Sequence, residues 1–162
     1  MLKASVIQAD EFFASLLRET CGPEYTKRID TIFHDLHHSS RALFEFQEEQ
    51  TRLQKVPPCY FKALVLNQSS WITNVGDVHQ TPIETPPGIR EVLSDFAQFY
   101  LSRNPNKGQL EWNHHFSRVK LSVRYPSSPQ TTGLIKEIQC NGIAATILCL
   151  FNNHKSLTKK EI

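Results

Sequence analysis

The first part of the chain carries apolar side chains at helical spacing. Phe12-Phe13 and Leu16-Leu17 recur every three to four residues, which places them on one face of a helix. Cys21-Gly22-Pro23 predicts the end of that helix, because glycine favours the left-handed cap and proline cannot continue the preceding turn.

A second helix is predicted from Pro23 or Glu24. Its apolar positions again recur at helical spacing and are expected to be buried. They are Tyr25, Ile29, Ile32, Phe33 and Leu36. A third segment of mixed polar and apolar residues covers roughly residues 40–54.

The pattern changes after Pro57-Pro58, which removes two backbone donors and disfavours helix before it. The continuous apolar run of residues 60–66 predicts a buried strand. Residues 89–103 predict an amphipathic helix. The apolar face of that helix consists of Val92, Leu93, Phe96, Phe99 and Tyr100.

Two short segments, 109–116 and 119–125, are predicted to form a hairpin that turns at Ser117-Arg118. The second segment alternates strictly, with apolar residues at 119, 121 and 123, as a half-buried strand does. Residues 134–140 are weakly strand-like, and residues 142–152 predict a buried helix. We therefore expect an α+β fold, in which N-terminal helices (1–56) precede a small antiparallel sheet packed with helices (57–162).

Charge and composition narrow the class of protein. The net charge is +2, with −2 in residues 1–56 and +4 in residues 57–162. A nucleic-acid interface usually needs a larger and more clustered basic excess, so a DNA binder is only a weak alternative. No apolar run reaches the roughly 18 residues of a membrane span, and no signal peptide begins the chain. We expect an intracellular protein of the cytoplasm or nucleus, with four reduced cysteines that pack in the core.

Candidate catalytic and metal sites are few. His34, His37 and His38 share one helix face and could hold a metal, but a solvated polar helix end is the favoured interpretation. His114 and His115 are adjacent on a predicted strand, so they would point to opposite faces. The chain contains neither a phosphate-binding glycine loop nor a GxSxG motif. We expect no catalytic residue, cofactor, metal or small-molecule substrate.

Four blocks of the sequence resemble the cullin family, in family order. The first is LLRETCGPEYTKRIDTIFHDL from Leu16, which is similar to the cullin pattern KL...CG.EYT.KL..MF.D. VLNQSSW from Val65 resembles VLSSGSWP. The third block joins FAQFY from Phe96 to LEW from Leu110, and the fourth is residues 138–152.

Several positions depart from the cullin pattern. Ile72 follows Trp71 where cullins have proline, Asn104 stands where histidine is usual, and Lys107-Gly108 replaces Gly-Arg. The resemblance therefore indicates a divergent member of the family.

The resemblance implies the end of the cullin four-helix bundle in residues 1–56, followed by the cullin α/β subdomain in residues 57–162. Cullins are scaffolds of RING-type ubiquitin ligases, which act in ubiquitin-dependent protein breakdown. The N-terminal strand of the RING subunit completes the sheet of that subdomain. Strand addition is physically reasonable, because an open edge leaves backbone groups unpaired. The expected partner-binding side chains are Leu64, Leu66, Leu110, Trp112, Val119, Leu121 and Val123.

We further expect a truncated cullin. The helical repeats of the adaptor-binding arm would be missing, as would the later segment whose lysine accepts the ubiquitin-like modifier. An alternative to a working scaffold is a truncated paralogue without ligase activity, which acts as a decoy for RING subunits or is inert.

Overall fold

A computed structural model of the chain describes residues 4–67, 85–125 and 134–159. Contacts divide the chain into two units, Met1–Asp77 and Val78–Ile162. The predicted α+β class is confirmed, with four helices and a two-stranded antiparallel sheet in the described residues. The boundary predicted at Pro57-Pro58 stays a prediction. No helix within the described ranges is both long and apolar enough to cross a membrane.

The first unit begins with a helical hairpin, α1 (Ala4–Cys21) and α2 (Pro23–Arg52). Gly22 joins them at φ 94°, in the left-handed region that favours glycine. At this end of the hairpin, Arg18 of α1 forms an ion pair with Asp30 of α2. Asp30 also accepts a hydrogen bond of 3.1 Å from the hydroxyl of the fully buried Thr26.

The α2 helix is a single element of 30 residues, so the two separate segments predicted over this stretch are wrong. Tyr25, which we expected to be buried, is 77% exposed. The buried face lies further along, at Ser39, Ala42 and Phe46, at helical spacing. Phe61 packs edge-on against Phe46, with 6.3 Å between ring centroids.

The second unit is built around α3 (Pro87–Arg103). Its predicted apolar face is confirmed in large part, because Val92, Phe96, Phe99 and Tyr100 are buried. Phe96 is fully buried and lies 6.1 Å from the ring of Tyr100 and 6.1 Å from that of Trp112, measured between ring centroids. This aromatic group forms the core of the second unit.

The sheet consists of β1 (Val119–Arg124) and β2 (Ile135–Cys140), paired antiparallel from Val119 opposite Cys140 to Arg124 opposite Ile135. The predicted hairpin between 109–116 and 119–125 is therefore wrong. Residues 109–113 are irregular and residues 114–116 form a turn. The partner of β1 is β2, which lies in the stretch 134–140 where the strand pattern of the sequence was weaker.

The last helix, α4 (Gly142–Leu150), follows β2 directly. Asn141 caps it, since its side-chain oxygen accepts a hydrogen bond of 2.8 Å from the amide of Ala144. A helix is thus confirmed in this stretch, but it ends at Leu150 rather than at residue 152, and its buried residues are Gly142, Ala145 and Thr146.

Candidate partner-binding surface

The segment that contains Leu64 and Leu66 is not part of a sheet in the described residues, so the predicted buried strand is wrong. Its side chains nevertheless alternate in exposure. Phe61, Ala63 and Val65 are half-buried, whereas Leu64 is 60% exposed and Leu66 39% exposed. A period of two is the signature of an extended backbone. The two leucines therefore present apolar side chains to solvent on one face of an extended segment.

Two side chains of α2 fasten this segment. The amide of Val65 donates a hydrogen bond of 2.7 Å to the hydroxyl of Ser39, and that hydroxyl lies 2.9 Å from the carbonyl oxygen of Val65. Two residues further on, the amide of Asn67 donates to a carboxylate oxygen of Asp35 at 2.7 Å. Neither residue was predicted to contact this segment. The only signal was that Asp35 and Ser39 share a helix face with the apolar Ala42 and Phe46.

The β1 residues Val119, Leu121 and Val123 lie half-buried on one face of the sheet, as their alternation predicts. Across the ladder, Leu121 lies opposite Ile138 and Val123 lies opposite Lys136. Within the described residues the sheet has two strands, so each strand has an outer edge with no third strand paired to it. Such an edge can accept a further strand.

Leu110 and Trp112 are half-buried and lie in the irregular stretch before the turn at 114–116. The indole of Trp112 packs against Phe96, which makes it a part of the second unit's core. The structure thus places Val119, Leu121 and Val123 on one face and Leu64 and Leu66 in the other unit. Partner binding by any of the seven residues stays a prediction.

The three histidines of α2 do not share one set of contacts. The rings of His34 and His38 stack with 6.1 Å between centroids, and His37 pairs with Glu11 of α1. Across the described ranges, no three His, Cys, Asp or Glu side chains converge as a metal would require.

His114 and His115 lie in a turn, so the strand geometry predicted for them is wrong. The ring of His115 meets Phe116 edge-on at 5.3 Å between centroids. His114 is half-buried, and its burial lowers the pKa of the imidazole.

All four cysteines are free thiols. Cys21 and Cys59 are exposed, so the core role predicted for these two is wrong, whereas Cys140 and Cys149 are half-buried. Partial burial raises the pKa of the Cys59 thiol, although most of this residue is exposed. Burial also raises the pKa of Cys149, with a smaller contribution from the nearby Cys140. A raised pKa keeps a thiol protonated, which makes both groups poor nucleophiles at neutral pH.

Comparison with known proteins agrees with this fold. Residues 65–162 match the family model described as the cullin alpha+beta domain. Cullin-1 of Dictyostelium discoideum is 28% identical over 147 residues, which cover 90% of this chain and 18% of that protein. Cullin-1 of Caenorhabditis elegans is 28% identical over 156 residues, which cover 96% and 18%.

Cullin-3 of Dictyostelium discoideum is 26% identical over 154 residues, which cover 95% of this chain and 19% of that protein. The chain thus spans about a fifth of the length of the curated relatives that it matches. The domain match begins at Val65, in the extended segment that Ser39 and Asp35 bind, and continues through α3, the β1–β2 sheet and α4. On this match, which covers more than half of its residues, the chain belongs to the cullin family.

Proposed function

We propose that this chain is a non-catalytic scaffold segment that binds the RING-finger subunit of a cullin-type ubiquitin ligase, and so takes part in ubiquitin-dependent protein breakdown. The observation that carries the proposal is the match of residues 65–162 to the cullin alpha+beta domain. In cullins, this is the region that the resemblance assigns to the RING subunit. An intracellular location is a part of the same proposal.

Strand addition is the proposed mode of binding. An added strand gains main-chain hydrogen bonds from an open edge and gains specificity from pockets for alternate side chains. The described residues offer a candidate edge in two places. The β1–β2 sheet has outer edges, and the extended segment before residue 68 has two exposed leucines on one face.

Apolar side chains next to these edges would supply the contact area. In the first unit they are Leu64 and Leu66, which are 60% and 39% exposed. In the second unit they are the half-buried side chains of residues 110, 112, 119, 121 and 123. Removing apolar area from water favours association at roughly 25 cal/mol per Å² before the costs of ordering are subtracted.

The direct experiment is a calorimetric titration of the purified chain with a purified RING-finger subunit. Circular dichroism first establishes that the chain is folded under the same conditions. We expect saturable binding with a Kd of about 1 μM or tighter, which corresponds to roughly −8 kcal/mol. A folded chain that binds no RING subunit at concentrations of tens of micromolar would contradict the proposal.

A further inference from the structure

We propose that Ser39 and Asp35 of α2 are positioning residues that hold the segment 61–67 as a ready-made edge strand for the partner. The inference rests on the proposed function, because the RING subunit is the partner whose strand would use this edge. Neither residue is expected to touch the partner. Both act through the backbone of Val65 and Asn67.

The contact between Ser39 and Val65 fixes which way the backbone faces. One hydroxyl lies within hydrogen-bond distance of both the amide nitrogen (2.7 Å) and the carbonyl oxygen (2.9 Å) of the same residue. In an extended strand, the N–H and C=O of one residue point to the same edge, and those of its neighbours point to the opposite edge. Ser39 therefore occupies the inner edge of the segment in the way that a neighbouring strand would.

Asp35 makes a second contact with the segment, and its spacing from Ser39 matches the spacing of the two backbone amides. It lies four residues before Ser39, about 6 Å along the helix axis at 1.5 Å per residue. Asn67 lies two residues after Val65, about 6.6 Å along an extended strand. The two spacings match, so Asp35 and Ser39 reach the backbone at alternate residues, 67 and 65, with the helix antiparallel to the segment.

Of the two residues of α2, Ser39 is the buried one. The Ser39 side chain is 1% exposed, and its hydroxyl also lies 2.7 Å from the carbonyl oxygen of Asp35. Among the described side chains, no buried nitrogen or oxygen is left without a hydrogen bond. Loss of the hydroxyl would remove the hydrogen-bond partner of the half-buried Val65 backbone, which is costly where water cannot replace it.

Binding of one edge of the segment 61–67 to α2 turns the backbone groups of the other edge away from that helix. With Val65 and Asn67 facing α2, the backbone groups of Leu64 and Leu66 face away from it. Neither leucine makes a backbone hydrogen bond to another described residue. Their side chains are exposed on one face, next to Lys62, whose ammonium lies 5.4 Å from the ring centroid of Tyr60. A partner strand that joins here finds the backbone already extended, which lowers the entropic cost of binding.

Amide hydrogen exchange of the free chain tests the fastening without any partner. We expect slow exchange at Val65 and Asn67 and fast exchange at Leu64 and Leu66. Ser39→Ala should speed exchange at Val65 by about tenfold, the effect of one lost buried hydrogen bond, while α1 amides keep their rates. Asp35→Ala should do the same at Asn67.

Ser40→Ala is the matched control. Its hydroxyl also donates to a backbone carbonyl of α2, that of Leu36 at 2.9 Å, but it is exposed and forms no hydrogen bond with the segment 61–67. This variant should leave exchange at Val65 unchanged. Unchanged exchange at Val65 in Ser39→Ala, or an equal rise at every amide of the unit, would overturn the inference.

Titration with the RING subunit then separates this inference from the proposed function. We expect Ser39→Ala to weaken binding by five- to tenfold and Ser40→Ala to leave it unchanged. If the wild-type chain binds and Ser39→Ala binds equally well, the positioning role is wrong and the proposed function stands. If the folded wild-type chain does not bind, both are wrong.

Discussion

The amide of Gly142 donates a hydrogen bond of 2.9 Å to the hydroxyl of Ser117, and the same amide lies 3.1 Å from the carbonyl oxygen of His114. The Ser117 hydroxyl in turn donates to that carbonyl at 2.8 Å. These contacts join the first residue of α4 to the turn that precedes β1. They tie together segments 25 residues apart, and they leave no space for a side chain at position 142.

Gly142→Ala is therefore expected to destabilise the second unit. An added Cβ would lie 2.5 Å from the Ser117 hydroxyl and 3.1 Å from the His114 carbonyl oxygen, which belongs to the backbone and cannot easily move. Overpacking of this kind costs about 1–3 kcal/mol, and urea denaturation measures it.

Gly108→Ala is the control for this prediction, because no atom lies within 4 Å of its added Cβ. We expect a change within about 0.5 kcal/mol for this variant. If Gly108→Ala and Gly142→Ala change the free energy of unfolding equally, the contact with Ser117 does not limit the space at position 142.

The cap of α4 gives a second prediction. Asn141→Ala removes the side-chain oxygen that accepts from the Ala144 amide, and should lower the free energy of unfolding by about 1 kcal/mol. Asn141→Asp keeps an acceptor at the same position and should retain most of the stability. A loss of the same size in both variants would contradict a capping role.

The burial of His114 predicts a pH dependence of stability. Because burial lowers the pKa of the folded state, the unfolded chain takes up a proton at a higher pH, near the ordinary value of 6.5. Stability is then fully present at high pH, declines as the pH falls through 6.5, and levels off below the lowered pKa.

The test compares urea midpoints at a pH of about 7.5 and about 5.5 in the wild type and in His114→Gln. We expect the wild type to lose more stability than the variant between these two conditions. An identical loss in both proteins would assign the pH dependence to other groups.

Leu121→Asp is expected to weaken the complex with the RING subunit. Leu121 lies on the half-buried face of β1 opposite Ile138, where a carboxylate is costly to bury. We expect at least a tenfold rise in the Kd, measured by the same titration.

Gln139→Asp is the matched control, since it places the same charge on the exposed face of the sheet, opposite Lys120. It should bind as the wild type does. If Leu121→Asp stays folded and binds with unchanged affinity, β1 is not the strand that contacts the partner.

Regular spacing of apolar residues identified most of the helices and strands, and the errors lie where that spacing is weak or does not carry the needed information. The helix at Pro87–Arg103 and the strand at Val119–Arg124 carry clean patterns and occur as predicted. The pairing failed because alternation says which face of a strand is buried and says nothing about its partner. Residues 135–140 carry a weaker alternation because three of the six, Lys136, Glu137 and Gln139, are polar.

The geometry of the candidate partner-binding surface could not be predicted from the sequence, and partner binding by its residues stays a prediction. The apolar run 60–66 indicated a buried strand, yet only alternate side chains pack inward and the two leucines face solvent. Ser39 was overlooked because its partner lies 26 residues away in the sequence, and a polar residue in a helix usually faces solvent. A contact between single polar groups that lie far apart in the sequence produces no periodic pattern from which it could be predicted.

The central claim is that this chain binds a RING-finger subunit by accepting its N-terminal strand. The most direct measurement is a pair of calorimetric titrations, one with the intact RING subunit and one with the same subunit lacking that strand. We expect a Kd of about 1 μM or tighter for the intact subunit and at least a hundredfold weaker binding without the strand. Equal affinity for the two subunits, or no binding of the intact one to the folded chain, would contradict it.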